Sequence, residues 1–198
     1  MAYLIPSAAA EYEQEIKRSR FIARTRHIDS AEQAKQWFAS VSDEFADARH
    51  VCWAYIAGAP GSSQQGMSDA GEPAGTAGKP ILNVLQHSGA GEIALVVVRY
   101  FGGIKLGAGG LVRAYSSSAS QVMKLTPLQN KISFRQIAFR LPFADEHTLR
   151  HLLEQQYGRV ESVDYQEQIE MHCALPEKAV DSLMARLPHH IQVIDESQ

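Results

Sequence analysis

Cysteine is scarce in this chain of 198 residues: Cys52 and Cys173 are the only two, and they stand far apart. Neither has a second Cys or His at ligand spacing. The pair therefore excludes a disulfide framework and a zinc finger, and reads as two small buried hydrophobes. Long apolar runs are missing as well. The longest, Ile93–Val98, falls far short of the roughly 18 residues that a membrane span needs. The opening stretch MAYLIPSAAAEYEQ has no basic residue and only a broken apolar run, which is not the pattern of a secretory signal. The expectation is a reduced, cytoplasmic protein with no membrane partner. A strong charge of either sign is also absent: 19 Lys and Arg stand against 22 Asp and Glu, a net of −3. That total argues against a chain coated with nucleic acid.

What is present is ordinary globular composition, 45% hydrophobic and 21% charged. At about 150 residues per domain the length allows one or two domains. The charge is unevenly spread. Residues 1–131 hold 13 basic and 11 acidic residues, a net of +2, whereas residues 132–198 hold 6 and 11, a net of −5. A sign change between segments points to two domains with different partners. The break is placed between domains 1–132 and 133–198, where Pro127 and the polar QNK interrupt the pattern.

In the first domain, residues 12–28 alternate as strands, and Asp29 caps a helix over 30–42 carrying Ala34, Trp37, Phe38 and Val41. VCWAYIA (51–57) reads as a buried strand. Residues 58–79 hold six glycines and two prolines and read as a long loop, of a length that is either functional or disordered. Pro80 opens a short helix that ends near Gly89, IALVVVRYF (93–101) is a strand, and a helix follows over about 110–124. The second domain reads βαββαβ, with strands over 133–141, 159–165, 168–175 and 191–194 and helices over 143–156 and from Pro176. That is the ferredoxin-like order. The fold class is α+β.

Three stretches carry candidate chemistry. GTAGKP resembles a phosphate loop but fails on spacing, since Pro73 stands where the first Gly belongs and Pro80 where Ser or Thr must bind magnesium. The same loop offers two carboxylates, Asp69 and Glu72, able to hold a cation or receive an Arg, or else to stay as solvated loop charges or cap a helix. The second stretch, Val96–Ser120, joins a strand to a helix through Gly107, Gly109 and Gly110, with Arg99, Lys105 and Arg113 to meet an anion. Tyr100, Phe101 and Tyr115 offer stacking faces to bases. The alternative is that the glycines serve close packing and positive φ. The third stretch is KRSRFIARTR, where Arg18, Arg20, Arg24 and Arg26 fall on one face of a strand, fit for a polyanion or for plain solvation. No nucleophile elbow is present, and a His50–Cys52 dyad is disfavoured because both sit on a partly buried strand. His147 and His151 lack a third ligand. No catalytic residue, metal or cofactor is expected.

ARHVCWAY (48–55), SDAGEPAGTAGKPIL (68–82) and VVRYFGGIKLGAGGLVRAY (97–115) together resemble the IMPACT family. The resemblance implies a first domain like domain 2 of a small-subunit ribosomal protein and domain IV of elongation factor G, a fold shared with GHMP kinases. It implies a second domain like domain V of elongation factor G. It also implies a signature cleft of Arg49, His50, Asp69, Glu72, Thr76, Arg99, Tyr100, Lys105 and Arg113. Two positions depart from the family pattern: Ala70 replaces a second aspartate and Val51 a second histidine. The favoured function is a non-enzymatic module that binds RNA or the ribosome and is linked to translation or its regulation. The alternatives are an enzyme or binder of a small phosphorylated or nucleotide ligand, and a protein-interaction regulator docking through its acidic second domain.

Overall fold

The chain enters through a short strand, β1 (Leu4–Pro6). The alternation that follows resolves into a hairpin of β2 (Ala10–Ile16) and β3 (Ser19–His27). Its two-residue turn, Lys17 and Arg18, sits at φ +49° and +63°, the left-handed geometry that matches the twist of tight hairpins. Helix α1 (Ala31–Glu44) is capped by Ser30 rather than by Asp29. The Ser30 hydroxyl accepts from the Gln33 N–H, and the Gln33 side chain reaches back to accept from the Asp29 N–H. The computed structural model describes residues 3–197, so the first two residues of the opening stretch lie outside the described residues.

After β4 (His50–Ile56), the expected long loop is interrupted by an edge strand of four residues, β5 (Gln65–Ser68), which pairs with β4 from Trp53↔Ser68 to Ile56↔Gln65. Gly66 masks this strand from a propensity reading. It is needed there because a Cβ would lie 2.6 Å from the Tyr55 ring across the ladder. Helix α2 (Gly78–Ser88) holds Pro80 in its first turn and stops at Gly89. Then come β6 (Ile93–Tyr100), α3 (Ala108–Leu125) and β7 (Leu128–Asn130), which pairs with β1.

The five-stranded sheet has the order β2-β3-β6-β4-β5 and is antiparallel throughout. Central β6 explains its unbroken apolar run, since both its faces are covered. Ile93, Leu95 and Val97 pack with Ile81 and Leu85 of α2 and Leu111 and Tyr115 of α3. Ala94, Val96 and Val98 pack with Ala34, Phe38 and Val41 of α1.

The contact pattern divides the chain into Met1–Lys131 and Ile132–Gln198. The second unit runs β8 (Phe134–Leu141), α4 (Glu146–Gln155), β9 (Arg159–Tyr165), β10 (Ile169–Pro176), α5 (Val180–Met184) and β11 (Gln192–Ser197). Its sheet order is β11-β8-β10-β9, so the first and third strands are central, as in ferredoxin-like folds. Leu149, Leu152, Leu153, Val180 and Leu183 cover one face of that sheet over Ile137, Phe139 and Met171. Among the described residues no helix is long and apolar enough to cross a membrane.

Candidate functional site

Strand register brings the signature stretches to one end of the five-stranded sheet. Arg20 pairs with Tyr100 and His50 with Arg99, so the β2–β3 turn, the start of β4 and the end of β6 lie side by side. Gly102 closes the gap between them: a Cβ there would lie 1.9 Å from the Arg18 carbonyl oxygen, so no other residue fits without moving backbone. Helix α3 begins at this same end. Its cap, Gly107, supplies no side-chain hydrogen bond, and its first turn, with Gly109 and Gly110, carries no acidic residue. Its leading N–H groups and positive dipole end are left without a carboxylate of their own.

The two loop carboxylates have separate structural tasks. Asp69 Oδ1 accepts from the N–H groups of Ala77 and Gly78 at 2.9 and 2.8 Å, and Oδ2 from Gly75 at 2.8 Å. It caps α2 from outside the helix, which otherwise has no side-chain cap. Burial raises the Asp69 carboxyl, but the three N–H donors outweigh it and hold the group below its ordinary range. The N-terminus of α2 is therefore already filled by the protein's own anion. Glu72 turns inward. Its Oε1 accepts from Arg99 Nη1 at 2.7 Å and from the Tyr115 hydroxyl at 2.8 Å, and both side chains of the ion pair are nearly sealed, at 3% and 6% exposure.

This geometry corrects several expectations. Arg99 does not face solvent: Glu72 holds Nη1, Ser19 lies 3.5 Å from Nη2, and the rings of Phe21 and Phe101 lie under the guanidinium. It ties the loop to the sheet instead of awaiting a phosphate. Tyr115 is fully buried against Phe21, so it has no face for a base. Burial first, then Cys52 and Glu72, push its hydroxyl far up, and it stays a donor. Tyr100 donates to Asp47 and already carries Arg20 over its ring. The basic strand face is mostly neutralised as well. Arg20 is paired with Glu13 and Arg24 with Glu11, both from the neighbouring strand β2, and Arg24 also with Glu44 at the end of α1. Arg18 lies in the turn and is not on that face.

Lys17, Arg18, Arg49, Lys105 and Arg113 are all exposed at this end of the sheet, and none is ion-paired among the described residues. Phe101, 49% exposed, stands among them, with Ile104 nearby at 41%. His50 packs behind this rim with Nδ1 3.0 Å from the Ala70 carbonyl oxygen. Thr76 donates its hydroxyl to Pro73 and shapes the loop. Cys52 donates its thiol to the Asp69 carbonyl, and burial pushes that thiol up to about 12, so it is no nucleophile. Cys52 and Ser19 belong to the buried network through contacts that no sequence spacing signals.

Residues 17–123 match the model of the Impact N-terminal domain, and residues 139–188 that of a domain of unknown function, DUF1949. The chain is 45% identical over 187 residues to the IMPACT family member YigZ of Escherichia coli (strain K12), covering 94% of this chain and 92% of that one. It is 31% identical over 181 residues to the IMPACT family member YvyE of Bacillus subtilis (strain 168), covering 91% and 83%. A crystal structure described as that of a hypothetical protein superposes with a TM-score of 0.76 at 41% identity, over 100% of this chain and 98% of the other.

Proposed function

The chain belongs to the IMPACT family, and from that premise we propose that its N-terminal unit is a non-enzymatic RNA-binding module acting in the cytoplasm on the ribosome or another structured RNA. One observation carries this reading: Lys17, Arg18, Arg49, Lys105 and Arg113 are loop-borne or helix-end cations without an ion pair among the described residues, gathered round exposed Phe101 and the start of α3, which has no side-chain cap. Cations so placed meet phosphates, an exposed aromatic stacks an unpaired base, and a free helix N-terminus takes a phosphate oxygen. The net charge of −3 is no obstacle. The acidic excess lies in the second segment, and in the first Glu11, Glu13, Glu44 and Glu72 are taken up by Arg20, Arg24 and Arg99.

The test is binding of the full chain to a structured RNA with unpaired loop bases, measured against salt. If about five phosphates are contacted, affinity falls roughly 100- to 500-fold between about 50 and 200 mM salt. Lys105→Glu with Arg113→Glu lowers the logarithmic salt slope by about two contacts' worth while thermal stability is kept. No binding at low salt, or binding indifferent to both substitutions, refutes the proposal. Turnover of a phosphate ester or nucleotide would move the assignment to the small-ligand alternative.

A further inference from the structure

At the opposite end of the same sheet lies a second cluster. His27 closes β3 opposite Ile93, the first residue of β6, so Glu92 and Asp29 fall beside it. We propose that His27, Asp29 and Glu92 form a binding site for one divalent transition-metal cation, with zinc the best chemical fit. Their ligand atoms all lie within 4.8 Å of one another. His27 Nε2 is 3.2 Å from Glu92 Oε2 and 3.7 Å from Asp29 Oδ1. Two donors bound tetrahedrally to zinc at about 2.1 Å lie about 3.4 Å apart, midway between those distances. One imidazole nitrogen with two carboxylate oxygens suits zinc and its neighbours better than magnesium or calcium, which favour oxygen alone. Three protein ligands leave a coordination position open to water or another ligand.

The buried Glu92 is built as the anchor. Its N–H donates to the Gly58 carbonyl and its own carbonyl accepts from Ile28, which fixes the backbone on both sides. That backbone sits at φ +48°, a left-handed conformation costly for a residue with a side chain and found disproportionately at functional positions. Glu92 Oε1 is occupied by the Tyr3 hydroxyl at 2.8 Å and by the Lys131 ammonium, which leaves Oε2 turned to His27. Hydrogen bonds to the far oxygen of a ligating carboxylate are the usual outer support of a metal site. The charge also favours a cation: two carboxylates face one ammonium. Lys131 tempers the affinity, because it already answers one of the negative charges. Asp29, 72% exposed, completes the set.

The experiment is titration of Zn2+ into the full chain, followed by calorimetry and by the melting temperature. The expected result is one saturable ion per chain and a rise in melting temperature. Asp29→Asn, at an exposed side chain, and His27→Ala each weaken binding at least tenfold with the melting temperature of the metal-free chain kept, while His87→Ala, at an exposed histidine elsewhere, does not. Co2+ in place of zinc gives the visible absorption of a four-coordinate N/O site, lost in His27→Ala. Absence of saturable Zn2+ binding overturns the proposal, as does binding unchanged in both Asp29→Asn and His27→Ala.

Discussion

Replacing Glu72 by Ala removes the acceptor that holds both Arg99 and Tyr115. The guanidinium, 6% exposed, is then left with Ser19 at 3.5 Å and two aromatic faces. Removing one partner of a buried pair costs about 3–5 kcal/mol, because the other charge stays desolvated. Spread over the 131 residues of the first unit, an unfolding entropy of about 2.1 cal/mol/K per residue turns that loss into a fall of roughly 11–18 °C in melting temperature. A two-unit chain need not melt as one, which would blur a calorimetric trace. Tryptophan fluorescence avoids this, since the only two tryptophans, Trp37 and Trp53, both lie in the first unit. The double variant Glu72→Leu with Arg99→Met recovers part of the loss, because an apolar pair leaves no charge stranded, while the buried Tyr115 hydroxyl still lacks its acceptor. A loss below about 1 kcal/mol in Glu72→Ala, or a double variant no better than the single, refutes the account of Arg99 as a sealed tie.

Asp69→Ala removes the external cap of α2 and lowers first-unit stability by about 1–2 kcal/mol at neutral pH, read by the same fluorescence. The Asp69 carboxyl is held below its ordinary 3.8 in the folded state, so its contribution is present above that value and is lost as the pH falls through the folded one. The acid limb of unfolding below 3.8 is accordingly shallower in the variant, and an unchanged limb contradicts the capping role. Cys52 and Cys173 are both buried, and burial pushes both thiols up to about 12. Neither reacts with a thiol reagent at pH 8 until the chain is unfolded, and prompt labelling of the native protein contradicts that burial.

Much of the fold was legible because its signals are local. The unbroken run Ile93–Val98 marks a central strand, Pro80 and Gly89 bracket a helix, and the βαββαβ rhythm after residue 132 follows from period and turn residues. Strand β5 was not legible, because Gly66 answers to the Tyr55 ring across the ladder and not to any propensity of its own. The paired strands β1 and β7 were missed for a similar reason: each is three residues long and exists only through its partner.

The candidate site divides along the same line. The sequence by itself determined which residues are present: a glycine-rich loop, two carboxylates, clustered cations and aromatics. It could not say which charges cancel. Spacing along the chain does not encode that Glu72 reaches Arg99 or that Glu11, Glu13 and Glu44 answer Arg24 and Arg20. Those pairings arise from strand register, from α1 packed on the sheet and from a loop folded back onto it. Tertiary structure alone decided that Arg99 and Tyr115 are interior ties, that Lys17, Arg18, Arg49, Lys105 and Arg113 remain exposed, and that His27, Asp29 and Glu92 meet. The physical reason is that burial and pairing depend on distance in space, and distance in space is set by how strands align.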